Sequence, residues 1–212
     1  MISLQKILGK DEKFFELLEA SAAQARTSAQ ALVELVQQVE QGKVAEALDL
    51  CVLHRRKDKL ITEEITELLC KTFVTPLERE DIESLSHSLS RIPKTVNKVG
   101  DRLLIAPELI KGDWPKSQVI LLEQAAAVLV EMVQELRRNP HLDSMRDKKA
   151  RLQQLEGKAD KIMLDFLREQ HRNGQGQKEA ILLLSISDLL EKAVDRCRDA
   201  GNVVFQIVLK NS

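Results

Sequence analysis

The second half of this 212-residue chain is a divergent copy of the first half. Residues 31–39 (ALVELVQQV) align with residues 128–136 (VLVEMVQEL), and further matches keep the offset between the copies at about 100 residues. Apolar residues recur at three- and four-residue spacing in both copies, and no stretch alternates with the period of two that a strand requires. The repeat therefore predicts an all-α fold in which each half supplies the same set of helices.

Six long helices are predicted, three in each half. They cover residues 11–40, 44–73, 75–106, 115–138, 144–171 and 178–209. Helices of this length are typical of bundles packed lengthwise. We expect a first three-helix repeat at residues 1–107 and a second at residues 108–212, packed together as one unit, with the joint near residues 108–115.

Local signals mark the third helix most clearly. Thr75, Pro76 and Glu78 have the spacing of a capping box, with proline at the first helical position. Pro93 removes one backbone hydrogen bond from the middle of this helix, so a kink or a break in the bonding is expected there. Pro107 is predicted to end the helix.

Composition excludes several classes of protein. The formal net charge is −1 and aromatic residues make up 3%, which argues against a nucleic-acid-binding protein. The chain shows no secretory leader and no apolar run of membrane-spanning length, so we expect a cytoplasmic protein without direct membrane insertion. Cys51, Cys70 and Cys197 are widely spaced, which favours neither disulfides nor a thiolate zinc site, and Cys197 is predicted to be a core residue.

Acidic residues form a row in the second half. Glu156 and Asp160 lie one turn apart on the fifth helix, and Glu191, Asp195 and Asp199 occupy successive turns of the sixth. If the two helices are antiparallel neighbours, these carboxylates converge into an all-oxygen site for hard or borderline metal ions. The alternative is a set of solvated surface acids that pair with Lys192, Arg196 and Arg198.

The matching row in the first half has lost its acidic character. His54, Ser90, Lys94 and Lys98 stand where the second half has acids, and only Asp58 retains a carboxylate. The two lysines would repel a cation. His54 and Asp58 could form a two-ligand site, but a local hydrogen-bonded pair is the commoner arrangement for such residues.

Several segments resemble one known family. Residues 71–82 (KTFVTPLEREDI), the E-x-x-x-D of Glu156 and Asp160, residues 190–197 (LEKAVDRC) and the ending at 207–211 (IVLKN) together resemble the PhoU-like proteins of the DUF47 branch. The resemblance covers almost the whole chain. It implies two three-helix bundles related by an internal repeat, which agrees with the repeat found in the sequence itself.

The resemblance also implies a function. Several proteins of this family bind multinuclear iron, zinc or nickel clusters on exposed E/D-x-x-x-D faces, and Glu156, Asp160, Glu191 and Asp195 match that pattern. The first half departs from it, so at most one cluster per chain is expected, and a metal-free protein is the alternative. The implied role is a regulator or accessory of inorganic phosphate transport that docks on a Pit-type phosphate permease, peripheral to the inner membrane through that partner.

Two other functional classes remain open at this point. A metal-dependent hydrolase or a ferritin-like oxidase could use the same carboxylates, although no Glu-x-x-His pair follows Glu156 or Glu191 and no Gly-rich phosphate loop is present. A purely structural bundle that forms homo-oligomers through exposed apolar positions is the third reading. The leading hypothesis is the non-enzymatic regulator.

Overall fold

A computed structural model describes the backbone of residues 4–40, 45–110, 113–138, 140–173 and 177–211. These residues form α1 (Leu4–Glu40), α2 (Ala45–Lys71), α3 (Arg79–Leu103), α4 (Trp114–Leu136), α5 (Leu142–Asn173) and α6 (Gln177–Lys210), with a short 3-10 helix at Pro107–Leu109. Across the described ranges there is no strand. The prediction of an all-α fold with six long helices is confirmed.

The two halves are joined through their inner helices. α1 packs on α4 and α3 packs on α6, while the pairs α1 with α3 and α4 with α6 complete a central group of four. α2 lies outside against α1 and α3, and α5 lies in the matching place against α4 and α6. The apolar side chains of both halves form one continuous core. The division after residue 107 therefore stays a prediction.

A surface ion pair shows how the copies face each other. Arg26 Nε of α1 lies 3.1 Å from Glu123 Oε1 of α4, and these residues are 97 positions apart in the chain. That separation is close to the offset of the sequence repeat, so equivalent positions of the two copies meet. Such self-matching contact is the mark of a two-fold interface. The pair itself is partly exposed to solvent and contributes little stability.

Small residues on α1 let its neighbours approach closely. Ala22, Ala25 and Ala29 are fully buried, in line with Phe14 and Leu18 on the same stripe. Burying a leucine or phenylalanine side chain stabilises a fold by about 1.5–3 kcal/mol. The large residues at the start of this stripe thus give apolar area, and the alanines that follow allow close helix contact.

The predicted helix boundaries agree with the structure best in the second half. α4, α5 and α6 begin and end within two residues of the prediction, a difference of the size that fraying ends produce. α1 begins earlier than predicted, at Leu4, and α2 ends at Lys71 rather than at residue 73. The predicted start of α2 at Val44 and the turn at residues 174–176 lie outside the described residues.

The prediction of a capping box at the start of α3 was wrong. The N-cap residue is Glu78, without a side-chain capping bond, and Thr75 Oγ1 instead donates to the carbonyl oxygen of Leu77 at 2.7 Å. Arg79 explains the difference, because its guanidinium donates to the carbonyl oxygens of Leu69 and Thr72 at 2.8 and 2.7 Å. The residues with the spacing of a capping box thus belong to a loop that follows α2.

The three prolines of this region act differently from one another. Pro76 lies in the loop before α3, and Pro93 is buried inside α3, which continues through it from Arg79 to Leu103. Pro107 opens the 3-10 helix, so α3 has already ended when the chain reaches it, and the predicted end near Ala106 was wrong. Trp114 then begins α4 and stacks on Phe166 of α5, with ring centroids 4.2 Å apart.

Two helical glycines differ in the space around them, so alanine substitutions there can measure the effect of packing on stability apart from that of helix propensity. A Cβ at Gly201 would overlap Leu152 Cδ1 and lie 3.4 Å from Met132 Sδ, whereas a Cβ at Gly157 would meet nothing within 4 Å. Both sites gain the same helix propensity from alanine, about 1 kcal/mol. We expect Gly157→Ala to raise the free energy of unfolding above that of wild type. The free energy of unfolding of Gly201→Ala should be about 1–3 kcal/mol lower than that of Gly157→Ala. Urea unfolding followed by circular dichroism measures both; equal stability of the two variants would contradict the packing argument.

Candidate functional site

Three carboxylates converge where α5 contacts α6. Glu156 and Asp160 of α5 and Glu191 of α6 each offer one oxygen, and these oxygens all lie within 4.8 Å of one another. All three residues are half-buried. Since E-x-x-x-D spacing places Glu156 and Asp160 on one face of α5, a single acid on the neighbouring helix is enough to complete the group. We call Glu156, Asp160 and Glu191 the acid cluster.

The other two predicted ligands have a different environment. Arg198 Nη2 forms an ion pair with Asp195 and lies 3.1 Å from Asp199 Oδ1, while its Nη1 lies 2.5 Å from Glu156 Oε1. Asp199 also accepts from Arg196 Nη1 at 3.3 Å. The structure therefore divides the predicted row: the acid cluster comes together, and Asp195 and Asp199 are neutralised by arginines.

Burial and neighbouring acids both disfavour the ionised form of Glu191. Burial and then the negative charges of Asp160, Asp195, Asp188 and Glu156 raise the pKa of its carboxyl to about 7. Within the described part of the chain, no hydrogen bond or ion pair reaches Glu191 or Asp160. A cation placed among the three oxygens would relieve this repulsion. An all-carboxylate donor set fits a hard or borderline divalent ion.

The buried stripe of α6 turns these acids outward. Leu190, Val194, Cys197, Gly201 and Val204 are all buried, as the sequence predicted. Glu191 and Asp195 follow directly after the first two of them and so lie at the edge of the core. Burial raises the pKa of the Cys197 thiol, which is a free, fully buried side chain. The prediction that Cys197 is a core residue is confirmed.

In the first half, the residues at the matching place bond to α1 instead. Gln24 Nε2 and His54 Nδ1 are 2.7 Å apart, and Ser21 Oγ donates to Asp58 Oδ1 at 3.3 Å. Burial and then the charge of Lys57 lower the pKa of His54. Burial raises the pKa of Asp58 to about 6, against the bond from Ser21. The expectation of a local pair between His54 and Asp58 was wrong, because each has a partner on the neighbouring helix.

The other replaced positions of the first half give no cation site. Lys94 and Lys98 are exposed on α3, and Ser90 Oγ donates to the carbonyl oxygen of its own helix at His87, 2.9 Å away. The two lysines keep positive charge on the surface that corresponds to Asp195 and Asp199. Among the described residues of the first half, Asp58 is thus the one acid at a position that matches the acid cluster.

A cleft at one end of the bundle was not found from the sequence. It has a volume of about 780 Å³ and is lined by residues of both halves, among them Phe15, Leu77, Leu136 and His141. Beside the lining residue Pro76, in the same loop, the side chain of Phe73 is 98% exposed and that of Val74 is 58% exposed. The string KTFVTP therefore displays two large apolar side chains that the core does not use.

The helices are amphipathic rather than uniformly apolar. Over the described residues, none of them combines the length and the apolar character needed to cross a lipid bilayer.

No protein-family model matches the sequence. A protein of Rhizobium meliloti (strain 1021), provisionally named a pit accessory protein, is 24% identical over 213 residues, which cover 98% of this chain and 97% of the relative. A crystal structure of a protein from Shewanella oneidensis MR-1, provisionally described as a PhoU-like phosphate regulatory protein, superposes with a TM-score of 0.80 at 15% identity. The chain has the PhoU-like fold.

The PhoU-like fold extends over both halves of the chain. The Shewanella oneidensis superposition covers 93% of this chain and 99% of that structure, and a second crystal structure of a PhoU-like protein from the same organism gives the same TM-score, identity and coverage. The resemblance drawn from the sequence is confirmed at this level. Assignment to the DUF47 branch stays a prediction.

The pKa of Asp58 predicts a pH-dependent stability difference. Its value rises from 3.8 to about 6 in the folded protein, so the folded state binds the proton more tightly and the cost of burying the carboxylate is largest above pH 6. We expect the free energy of unfolding of Asp58→Asn to exceed that of wild type by up to about 3 kcal/mol near pH 7.5 and to equal it near pH 3.5. Urea unfolding at both pH values measures this. Asp147→Asn, at an exposed position of α5, is the control; an equal Asp58→Asn difference at both pH values would refute the linkage.

Proposed function

We propose that this chain is a non-enzymatic accessory protein of inorganic phosphate transport that docks on a Pit-type phosphate permease. The observation that carries the proposal is the full-length match to a relative named as a pit accessory protein, 24% identical over 98% of this chain. The PhoU-like fold, shared with a structure described as a phosphate regulatory protein, supports the same role. The protein would act in the cytoplasm, at the inner membrane through its partner and without nucleic acid.

Charge complementarity supports the acidic face of α5 and α6 as the docking surface. Asp160 and Glu191 are half-buried carboxylates that no described residue pairs. Cytoplasmic loops of membrane proteins carry an excess of lysine and arginine. Opposite charges on two such surfaces speed the encounter and fix the orientation of the complex. An acidic helix face is therefore suited to a basic cytoplasmic loop of a permease.

The position of the carboxylates favours binding over catalysis. A hydrolase needs a base, a phosphate cradle and exclusion of water around the reacting atoms. The acid cluster lies on the surface of two helices and is accessible to solvent. A partner or a metal ion can reach such a site directly, whereas a reaction that must exclude water gains nothing from it.

The same proposal includes a metal ion. Glu156, Asp160 and Glu191 would hold one iron, zinc or nickel ion, since their oxygens already lie within 4.8 Å of one another. An ion there would stabilise the ionised form of Glu191, which burial and the neighbouring acids now disfavour. Asp195 and Asp199, also predicted as ligands, contact Arg198 instead.

Capture of a permease tests the docking role. Full-length tagged protein would be cross-linked in intact cells of its source organism, purified, and the enriched membrane proteins identified by mass spectrometry. We expect wild type to enrich a phosphate permease. The double variant Asp160→Lys, Glu191→Lys should recover at least about tenfold less of that permease, because like charges across an interface repel.

Matched variants make this experiment specific. Glu169→Lys, Glu179→Lys changes the same charge on exposed positions of the same two helices and should leave capture unchanged. Phe73→Ser, Val74→Ser removes the exposed apolar pair of the loop. Loss of capture in the loop variant alone would move the contact to the cleft end of the bundle. If wild type enriches no permease, the docking role itself is wrong.

Metal content tests the acid cluster. We expect wild type, stripped with a chelator and dialysed against Zn²⁺, to bind zinc at least about tenfold more tightly than Asp160→Asn, Glu191→Gln, because two charged oxygen ligands are lost. Isothermal titration calorimetry and elemental analysis measure affinity and content. Glu169→Gln, Glu179→Gln is the charge-matched control. Equal affinity for all three proteins would place the zinc elsewhere or show it to be nonspecific.

A further inference from the structure

Arg198 is the feature of the acidic face that the metal proposal leaves unexplained. Its guanidinium lies between α5 and α6 and pairs with Glu156 on one helix and with Asp195 and Asp199 on the other. The side chain is about three-quarters shielded, with 28% of its surface exposed. It therefore occupies the interior of the predicted row of ligands, where a cation of a multinuclear cluster would lie.

We propose that Arg198 is a fixed counterion that closes the Asp195 and Asp199 side of the row to metal ions. The acidic face then takes one divalent ion, at Glu156, Asp160 and Glu191, rather than a multinuclear cluster. This inference rests on the metal site included in the proposed function. It assigns Arg198 the role of setting how many ions the chain holds.

The chemistry of arginine suits this role. A guanidinium stays protonated at every pH that a protein experiences, so it cannot yield its place to a metal ion by losing a proton, as lysine or histidine can. Its planar array of donors binds two carboxylates at once. Arg196 reinforces one of them through its bond to Asp199 at 3.3 Å. A divalent ion would have to break these pairs and approach a positive charge.

The distribution of pairs marks out the remaining site. Asp160 and Glu191 receive no hydrogen bond or ion pair from the described residues, while Asp195 and Asp199 are both paired. Glu156 is shared, because Oε1 contacts Arg198 at 2.5 Å and the residue also belongs to the acid cluster. Arginine thus pairs with the acids at the Asp195 and Asp199 side of the row, and the Asp160 and Glu191 side is left for a cation.

The first copy reaches the same result by other residues. Lys94 and Lys98 stand at the positions that correspond to Asp195 and Asp199, and both are exposed. Both halves therefore carry positive side chains on this part of the surface. The second half keeps its acids but neutralises them, whereas the first half has replaced them.

Counting the ions per chain tests the inference. Full-length wild type, Arg198→Gln and Arg146→Gln would be stripped of metal and dialysed against Zn²⁺, with bound zinc measured by elemental analysis and calorimetry. Arg146→Gln removes the same charge at an exposed position of α5. Asp160→Asn, Glu191→Gln sets the background. We expect one ion for wild type and for Arg146→Gln, and a second ion for Arg198→Gln, whose first ion also binds roughly tenfold more tightly once the nearby positive charge is gone.

Circular dichroism and thermal unfolding would establish that each variant is folded. The inference is overturned by two or more ions in wild type, by an unchanged count in Arg198→Gln, or by the same gain in Arg146→Gln, which would reflect net charge alone. If every protein binds no more zinc than the Asp160→Asn, Glu191→Gln variant, both this inference and the proposed metal site are wrong. Permease capture by the same wild-type preparation is a separate readout, so the docking role stands or falls independently.

Discussion

Packing of α1 against α4 and of α3 against α6 is the contact on which the rest of the molecule depends. A three-helix half would leave the second faces of its two inner helices in water, and joining the copies buries both faces in one core. Arg26 and Glu123 show that matching positions meet at this junction. α2 and α5, each packed on two inner helices, are left with broad exposed faces. Glu156 and Asp160 of the acid cluster lie on the outer helix α5, and Glu191 joins them from the inner helix α6.

Duplication explains why the two outer helices differ. Once both copies supply the same core, polar residues on α2 and α5 can diverge independently. In the first copy, Asp58 and His54 became part of a polar contact with α1 through Ser21 and Gln24. In the second copy, Glu156 and Asp160 face an acid of α6 instead. The corresponding faces thus differ, since one contacts α1 in the first half and the other presents charge in the second half.

Much of the fold, and part of the candidate site, could be predicted from the sequence alone. The three- and four-residue apolar spacing gave the helices, and the stripe from Leu190 to Val204 gave the buried face of α6, because burial on a helix follows the angular position of each residue. That stripe also placed Glu191 at the edge of the core. The start of α3 was misread, since Thr75 and Glu78 match a cap equally well as a loop until Arg79 is seen to close α2.

By itself, the sequence determined the helix content, the repeat and the spacing of the acids, because these depend on local periodicity. Only the tertiary structure decided which acids meet and which are paired. Arg198 lies one helical turn from Asp195 but contacts Glu156 on the neighbouring helix, and its pairing removes two carboxylates from the predicted site. Such choices depend on the rotation and the crossing of two helices, which fix distances between residues far apart in the chain.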